Sequence, residues 1–257
     1  MPAERITSRQ NGRIKEIIRL TSSADARKET GAFVLEGARL CGDAAASGIE
    51  ILLLCVSDSA AGRKEAGTLT AVAKETMTVP DSLFAQISET KSPQGLLCVA
   101  KTPSLWRKML RPGGRYLALE NISDPGNLGT IARTAEALGL DGLILSGGCD
   151  PFSPKVQRAS MGSLLRLPLV KADSLPVFLK NQRLPSFAAV PAMDAADAGL
   201  EDFAGGGIIC IGNEGNGLTA KTEKSCSRRI TIPMAGRAES LNAAAAAAIL
   251  CYLLTRG

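Results

Sequence analysis

The sequence predicts an α/β protein in which a small α/β domain precedes a larger domain built on a parallel sheet. Two observations favour this class: short apolar strands alternate with helical segments along the chain, and a glycine falls where a helix should end. The share of hydrophobic residues, 45%, is typical of a folded protein. A chain of 257 residues is long enough for one large or two modest domains, each with its own core.

The first half alternates helices with strands, which is typical of a small α/β unit. Its predicted helices span residues 14–20 and 37–46, and its predicted strands span residues 32–35, 49–56 and 95–100. The stretch 102–115 follows, with two prolines, a Gly-Gly pair and no clear periodicity, so it is predicted to be a linker. We therefore expect a first domain over residues 1–105, a linker over 106–115 and a second domain over 116–257.

The second half has a sharper pattern of strand, helix and strand, which predicts a parallel sheet with crossover helices. Its predicted strands span residues 116–120, 143–146, 187–190 and 207–211, and its predicted helices span 128–138, 155–161 and 240–254. Gly139 occupies the position where a glycine commonly ends a helix, which supports the helix before it.

Composition excludes several classes of protein. The longest apolar run, Ala243–Leu254, is too short to cross a bilayer, and charges interrupt the N-terminus where a signal peptide needs an apolar stretch, so we expect a cytoplasmic protein. The seven cysteines form no CxxC pair, and we expect reduced, mostly buried thiols. The chain has no histidine, which excludes Ser-His-Asp catalysis and histidine-ligated metal sites, and we expect no metal.

The positive charges are clustered rather than evenly spread. Acid-free groups of cations lie at 101–115, with Arg107 and Lys108, and at 155–171, with Arg158, and the N-terminal segment adds Arg9, Arg13 and Lys15. Clusters of this kind are expected on a surface that binds phosphates. An ordinary solvated surface would give a similar pattern, so charge alone leaves both interpretations open.

The first segment that could carry chemistry runs from Leu119 to Arg133, where a strand enters a Pro-Gly turn and then a helix. Asn127 is placed to cap that helix. Arg133 lies about 200° from Ile131 at roughly 100° per residue, so it points away from the apolar stripe. The alternative is a plain cap and a solvated arginine paired with Glu136.

A second segment, Ile208–Leu218, is a buried strand that breaks into a loop containing Gly212, Glu214 and Gly217. The glycines are not in the order of a dinucleotide fold, the Walker pattern is absent, and Glu214 would repel a pyrophosphate. Such a loop suits a cationic ligand such as S-adenosylmethionine, although a simple glycine turn would look the same. The third segment runs from Ile232 to Asn242, and Ser240 or Asn242 supplies the oxygen that caps an alanine-rich helix.

Together and in this order, the three segments resemble the three motifs of the SpoU/TrmH family of RNA 2′-O-ribose methyltransferases, part of the SPOUT superfamily. The likeness rests on Asn127 and Arg133 six residues apart, on Gly-Asn-Glu-Gly-x-Gly from Gly212, and on Ile-Pro-Met followed by Glu-Ser-Leu-Asn. Residues 155–162 and 88–95 resemble further stretches of the family, so the resemblance extends over nearly the whole chain.

The resemblance implies a methyltransferase domain with a deep trefoil knot, S-adenosylmethionine as cofactor, and a site completed across a homodimer interface. Two sets of residues match family positions: catalytic Asn127, Arg133, Glu214, Ser240 and Asn242, and cofactor-binding Gly212, Ile232 and Leu241. Family accounts often make the motif-one arginine a base. Because a guanidinium is hard to deprotonate, we expect Arg133 instead to grip a phosphate and stabilise the developing alkoxide.

The first domain resembles the ribosomal-protein-like RNA-binding domain of these enzymes, and we expect Arg9, Arg13, Lys15 and Arg158 to contact RNA. The substrate implied is structured RNA, with 23S ribosomal RNA the first expectation. The alternatives are a transfer-RNA 2′-O-methyltransferase and a non-catalytic protein that binds structured RNA. A nicotinamide-dependent oxidoreductase is disfavoured by the order of the glycines.

Overall fold

The computed structural model describes residues 3–103 and 110–256 of the chain. These residues form two compact units. The first contains the residues up to 103 together with Phe152–Leu165, and the second contains the residues from 110 to Pro151 and from Arg166 onward. Part of the predicted linker, with Arg107 and Lys108, lies outside the described residues. The boundaries at 105 and 116 stay predictions.

The first unit is built on a mixed five-stranded sheet. Its elements are, in chain order, β1 (Glu4–Arg5), α1 (Gly12–Ser22), α2 (Ala24–Thr30), β2 (Ala32–Glu36), α3 (Ala38–Ala46), β3 (Ile51–Ser57), α4 (Lys64–Val72), β4 (Glu75–Val79), α5 (Asp81–Ile87) and β5 (Leu96–Lys101). The order of the strands in the sheet is β1-β4-β3-β5-β2. β5 is antiparallel to β2 and to β3, whereas β4 is parallel to β1 and to β3.

All five helices and strands predicted for the first half are present, with ends shifted by a few residues. α1 forms where predicted because Ile14, Ile17 and Leu20 recur on one face and are buried, and because the Asn11 side chain caps its first turn. The prediction missed β1, α2, α4, β4 and α5.

A segment from the second half of the sequence belongs to the first unit. This segment begins with Phe152 and contains a short helix at Pro154–Ser160, close to the helix predicted at 155–161. The Phe152 ring packs against Phe33 of β2 with centroids 5.1 Å apart, and Arg158 pairs with Glu89 at 3.0 Å. Residues about fifty positions beyond the end of β5 therefore complete the core of the first unit.

The second unit is built on a seven-stranded sheet in which every neighbouring pair of strands is parallel, so the parallel sheet predicted for the second half is confirmed. With the helix Pro154–Ser160 of the first unit numbered α7 in chain order, the elements of the second unit are β6 (Arg115–Glu120), α6 (Pro125–Ala137), β7 (Gly142–Ser146), β8 (Leu169–Lys171), α8 (Leu175–Lys180), β9 (Ser186–Ala189), β10 (Ala196–Asp197), β11 (Gly207–Ile211), α9 (Ala220–Ser225), β12 (Arg228–Thr231) and α10 (Ala243–Arg256). The order of the strands in the sheet is β10-β12-β9-β11-β6-β7-β8.

The central strands of this sheet are covered on both faces, which is why they read as continuous apolar runs. β7 and β11 are buried along their whole length, and one cluster of the core contains Tyr116, Ile144 and Ile208. α10 packs against α6 and lies along β6 and β11. The trefoil knot implied by the family resemblance stays a prediction.

Two features of composition have structural counterparts. All seven cysteines are free thiols, and five of them are buried, as expected for a reduced protein. Among the helices of the described residues, none is long and apolar enough to cross a membrane.

The start of α6 differs from the prediction. Asn127 was expected to cap a helix that begins at Leu128, but the helix begins at Pro125 and its cap is Asp124, whose Oδ1 accepts a hydrogen bond of 2.8 Å from the Asn127 backbone N–H. Proline fits the first helical position because its fixed φ suits the helix and its missing N–H would have no partner there. The Asn127 side chain is thereby free for another role.

The start of α10 resolves a choice that the sequence left open between Ser240 and Asn242. Asn242 Oδ1 accepts hydrogen bonds from the backbone N–H groups of Ala244, at 2.9 Å, and Ala245, at 3.3 Å. Asn242 is therefore the capping residue, and the helix begins at Ala243 rather than at Ser240.

The loop after β11, residues 212–218, turns back on its own first residue. Asn213 and Gly217 exchange two backbone hydrogen bonds, of 3.0 and 2.9 Å, which bring the far end of the loop over Gly212. A Cβ atom at Gly212 would lie 2.0 Å from the carbonyl carbon of Gly217 and 2.1 Å from the backbone N of Leu218. Gly212 is therefore required by the loop's own packing.

We predict that Gly212→Ala lowers the melting temperature by about 4–8 °C, which corresponds to roughly 2 kcal/mol for a unit of this size, because backbone atoms must move to admit the methyl group. Differential scanning calorimetry measures the change. Gly215→Ala is the matched control, since its Cβ would have Asn213 Oδ1 at 3.6 Å as its nearest neighbour. Equal melting temperatures for the two variants would contradict the packing argument.

Candidate active site

The candidate site lies where the loops after β6 and β11 meet. These two strands are neighbours in the middle of the parallel sheet, with Leu119 in register with Ile211, so both chains leave the sheet at the same edge. The strands β7 and β8 continue the sheet on one side and β9 on the other, so the order changes direction here. In open α/β sheets such a crevice at the carboxyl ends of the strands is where ligands bind.

Glu214 joins the two loops. Its Oε1 accepts hydrogen bonds from the Asp124 backbone N–H at 3.2 Å and from Asn127 Nδ2 at 2.9 Å. Its Oε2 accepts hydrogen bonds from the backbone N–H and the hydroxyl of Ser123, at 3.2 and 3.0 Å. Both carboxylate oxygens are thus occupied by donors at the start of α6, where an anion is favoured by the unpaired N–H groups of a helix.

These contacts explain the ionisation of Glu214. Its partial burial by itself would raise the pKa, but the hydrogen bonds from Asn127 and from backbone N–H groups outweigh this and lower the pKa from 4.5 to about 2. The group is therefore a carboxylate throughout the neutral range. A base with so low a pKa takes protons poorly, so the geometry favours a positioning role for Glu214.

Asn127 connects this carboxylate to the third motif. While its Nδ2 donates to Glu214, its Oδ1 accepts a hydrogen bond of 3.1 Å from Asn242 Nδ2. Asn242 in turn caps α10 through its own Oδ1. One continuous set of hydrogen bonds therefore runs from the second motif through the first to the third.

A cavity of about 470 Å³ opens beside this network. Its walls come from the chain after β9, from the loop after β11, from β12 and the chain that follows it, and from α10 with the residues before it. Five of the predicted site residues line it together: Gly212, Glu214, Ile232, Ser240 and Leu241. Asn127 and Asn242 join the cavity through their hydrogen bonds rather than by lining it.

Arg133 is placed differently. It lies exposed on α6 and is not among the residues that line the cavity. Glu136, with which it was expected to pair in the alternative interpretation, instead holds Arg166 through bonds of 2.5 and 3.0 Å. Among the described residues no hydrogen bond or ion pair reaches Arg133, so its guanidinium is available to a ligand.

The cations predicted to contact RNA all lie in the first unit and fall into two groups. Arg13 pairs with Glu75 at 2.7 Å and with Glu4 at 3.5 Å, and Arg158 pairs with Glu89 at 3.0 Å. Arg9 and Lys15 are exposed, and within the described part of the chain they form no ion pair.

Three residues of the network were missed by the sequence analysis. Ser123 and Asp124 donate hydrogen bonds to Glu214. Asn213 Nδ2 donates a hydrogen bond of 2.9 Å to the carbonyl oxygen of Asn121, which connects the loop to the end of β6. The Asp-Pro pair at 124–125 is a recognisable helix start and could have identified the cap. Asn213 lies 92 positions from its partner, and nothing in the local sequence indicates that contact.

The low pKa of Glu214 gives a prediction for stability against pH. Since its folded-state pKa is below 4.5, the stabilisation is complete above about pH 4.5 and is lost as the pH falls toward 2. We expect Glu214→Gln to lower the melting temperature at pH 7, and we expect this difference to shrink by about half or more at pH 3.

Scanning calorimetry at pH 7, 5, 4 and 3 provides the measurement, and Glu16→Gln, at an exposed position on α1, is the control. A difference in melting temperature that stays constant over this range would show that the ionised form of Glu214 is not the one that holds the loops together.

The comparisons with known proteins agree with this geometry. Residues 114–252 match the model of the SpoU rRNA Methylase family, and residues 11–98 match that of the MRM3-like substrate binding domain. An uncharacterised tRNA/rRNA methyltransferase of Synechocystis is 35% identical over 254 residues, which cover 96% of this chain and 92% of the relative.

Two further relatives have more specific names. The 23S rRNA (guanosine(2553)-2′-O)-methyltransferase of Bacillus subtilis is 31% identical over 258 residues, covering 98% of this chain and 99% of that protein. The SpoU methyltransferase AviRb from Streptomyces viridochromogenes, crystallised with its cofactor AdoMet, superposes with a TM-score of 0.88 at 28% identity, covering 96% of this chain and 98% of that one. The family model covers more than half of the sequence, and the chain belongs to the SpoU rRNA methylase family.

Proposed function

We propose that this protein transfers a methyl group from S-adenosylmethionine to a ribose 2′-hydroxyl of structured RNA, with 23S ribosomal RNA as the substrate. The observation that carries the proposal is the meeting of the three motif segments around one cavity at the carboxyl edge of the parallel sheet. The Bacillus subtilis relative, named for this reaction on 23S ribosomal RNA, matches over nearly its whole length. A cytoplasmic location belongs to the same proposal.

The cavity fits the cofactor in size and in charge. Its volume of about 470 Å³ lies within the range of roughly 300–1,000 Å³ that small-molecule sites occupy. Its charged lining residues are Glu214, Glu223 and Arg229, which together carry one net negative charge. S-adenosylmethionine carries one net positive charge, from a sulfonium, an ammonium and a carboxylate, so the electrostatic balance favours it over a nucleotide phosphate.

The residues proposed to hold the cofactor are Gly212, Ile232 and Leu241. Gly212 lies on the loop after β11, whereas Ile232 and Leu241 lie near the two ends of the segment between β12 and α10, and all three line the cavity. S-adenosylmethionine held by these residues would supply a methyl group on a sulfonium, and the neutral thioether would be the leaving group when the sulfur–methyl bond is exchanged for an oxygen–methyl bond. The hydrogen bonds of Glu214, Asn127 and Asn242 join the loop that contains Gly212 to the residue that follows Leu241, so this part of the site is formed before any ligand enters.

The ribose hydroxyl is a weak nucleophile and must lose its proton on or before attack. Glu214 is a poor acceptor because its pKa is about 2, and the chain has no histidine. We propose that Arg133 binds the phosphate beside the target ribose, because its planar guanidinium can hold two phosphate oxygens and stabilise the developing alkoxide. The proton of the hydroxyl then passes to water or to a phosphate oxygen. Ser240, at the edge of the cavity, completes the proposed catalytic set.

The first unit is proposed to bind the RNA. Its exposed Arg9 and Lys15 are available for phosphates without breaking an ion pair, whereas Arg13 and Arg158 would have to exchange a carboxylate for a phosphate. Residues 11–98 match a substrate-binding domain, which supports this division of labour. A transfer-RNA substrate remains the second candidate, because the Synechocystis relative is named for transfer or ribosomal RNA.

The proposal is tested with labelled S-adenosylmethionine, unmodified 23S ribosomal RNA and unmodified transfer RNA, with mass spectrometry of the 2′-O-methylated nucleosides. We expect methylation of the ribosomal RNA, and we expect Arg133→Ala to reduce kcat/KM by about 100-fold or more while cofactor affinity by calorimetry stays the same. Arg133→Lys should be nearly as impaired, since an ammonium cannot hold two oxygens in the same plane.

Arg166→Ala is the matched control, because Arg166 is an exposed arginine that pairs with Glu136, three residues beyond Arg133 on α6. Methylation of transfer RNA alone would move the substrate to the second candidate. RNA binding without cofactor binding would leave a non-catalytic RNA-binding protein, and near-full activity of Arg133→Lys would contradict the phosphate clamp.

We further propose a homodimer in which Arg133 of one subunit serves the cavity of the other. The support is geometric: Arg133 lies outside the cavity of its own chain, on an exposed stretch of α6 that includes Thr130 and Ala137. α10, which packs beside α6, exposes the large apolar side chains of Ile249 and Tyr252. An apolar face beside an unpaired cation is suited to contact with a second copy.

Mixing subunits tests this arrangement. Arg133→Ala and Leu241→Trp, the second chosen to fill the cavity, should each be inactive as homodimers, yet their purified heterodimer should recover about half of the wild-type rate because one composite site is intact. An inactive heterodimer would place Arg133 in the site of its own chain. Light scattering that gives an active monomer of 26.7 kDa would overturn the dimer itself.

A further inference from the structure

Glu120, the last residue of β6, is a buried carboxylate that the proposed mechanism does not use. It is only 6% exposed. Its Oε2 accepts a hydrogen bond of 2.8 Å from the Thr219 backbone N–H, and its Oε1 accepts hydrogen bonds from the hydroxyls of Thr219, at 3.1 Å, and Thr222, at 2.5 Å. A carboxylate is costly to bury, and three donors offset that cost here.

These donors stand at the start of α9, directly after the loop 212–218. Thr219 is the cap of that helix, and its Oγ1 also accepts from the Thr222 backbone N–H at 3.3 Å. Glu120 therefore fixes the point at which the loop ends. Its own position is fixed by the sheet, since it follows Leu119, which is in register with Ile211 at the point where the loop begins.

The end of the loop bears directly on the cavity. Gly217 and Leu218 line the cavity. They also pack against Gly212, where an added Cβ atom would lie about 2 Å from their backbone atoms. A shift of Thr219 would displace the neighbouring Leu218 and move the end of the loop away from Gly212. Glu120 itself and Thr219 are not among the residues that line the cavity, so any effect on a ligand must pass through the loop.

We propose that Glu120 is a positioning residue for S-adenosylmethionine: it anchors the end of the loop 212–218 and so holds the cavity in its binding-competent shape. The inference rests on the proposed function for the identity of the ligand. Glu120 and Glu214 then form a reciprocal pair. Glu214 reaches from the loop after β11 to the helix after β6, and Glu120 reaches from the end of β6 to the helix after that same loop.

The decisive variants are Glu120→Met, which keeps the length of the side chain but removes both acceptor oxygens and all three hydrogen bonds, and Glu120→Gln, which keeps one acceptor for the Thr219 N–H. We expect Glu120→Met to weaken S-adenosylmethionine binding about tenfold by calorimetry, with KM for the cofactor raised by the same factor and kcat at saturating cofactor within about twofold of wild type. Glu120→Gln should recover most of the affinity.

The matched control is Glu201→Met. The side chain of Glu201 is 8% exposed and pairs with Arg228 at 2.7 Å in the same unit, without a hydrogen bond to the loop 212–218 among the described residues. It should lower the melting temperature and leave cofactor affinity unchanged. Hydrogen exchange without cofactor gives a second reading: the peptide containing residues 212–219 should exchange faster in Glu120→Met and at the wild-type rate in Glu201→Met.

The outcomes separate the two proposals. If wild type fails to bind S-adenosylmethionine, the proposed function falls and this inference falls with it. If wild type binds and Glu120→Met binds equally well with only a lower melting temperature, Glu120 is purely structural and this inference alone is overturned. Should Glu120→Met fail to fold, Thr222→Val removes a single hydroxyl at a fully buried position and should weaken binding two- to threefold; unchanged affinity there overturns the inference too.

Discussion

The carboxylate of Glu214 is the contact on which the candidate site depends. It accepts hydrogen bonds from Ser123, Asp124 and Asn127, and Asn127 in turn accepts a hydrogen bond from Asn242. Three segments separated by about ninety and about thirty residues are therefore held at one point. Because each of these groups has its partner within the chain, the site needs no ligand to take its shape, and a preorganised site spends little of its binding energy on reorganisation.

Local sequence patterns predicted much of the sheet but little of this network. β6, β7 and β11 were found because buried parallel strands are short apolar runs, and the parallel order followed from the helix between them. β12 was missed because Arg228–Thr231 carries two arginines and only Ile230 is buried. The side-chain partners of Glu214 could not be predicted, since contacts across ninety residues leave no trace in local periodicity.

Two other differences have physical causes of the same kind. Asn127 was predicted to be the cap because its side chain suits that position. Asp124 also suits it and is followed by Pro125, which favours the first helical position, so the helix begins three residues earlier than predicted. The helix Pro154–Ser160 was predicted correctly as an element, but its place in the first unit depends on the packing of Phe152 against Phe33. Pairing between distant apolar residues is decided by the packed core, which a single sequence does not display.

The chemistry of the site follows from what its groups cannot do. The chain has no histidine, and the hydrogen bonds that make Glu214 a good anchor lower its pKa to about 2 and so remove it as a base near neutral pH. The cavity lining therefore offers placement and charge balance in preference to proton transfer. Rate enhancement must then come from alignment of the two reactants and from a cation near the developing alkoxide. Arg133 lies outside the cavity of its own chain, so its proposed role beside the alkoxide depends on the proposed homodimer, in which a second copy of the chain supplies it.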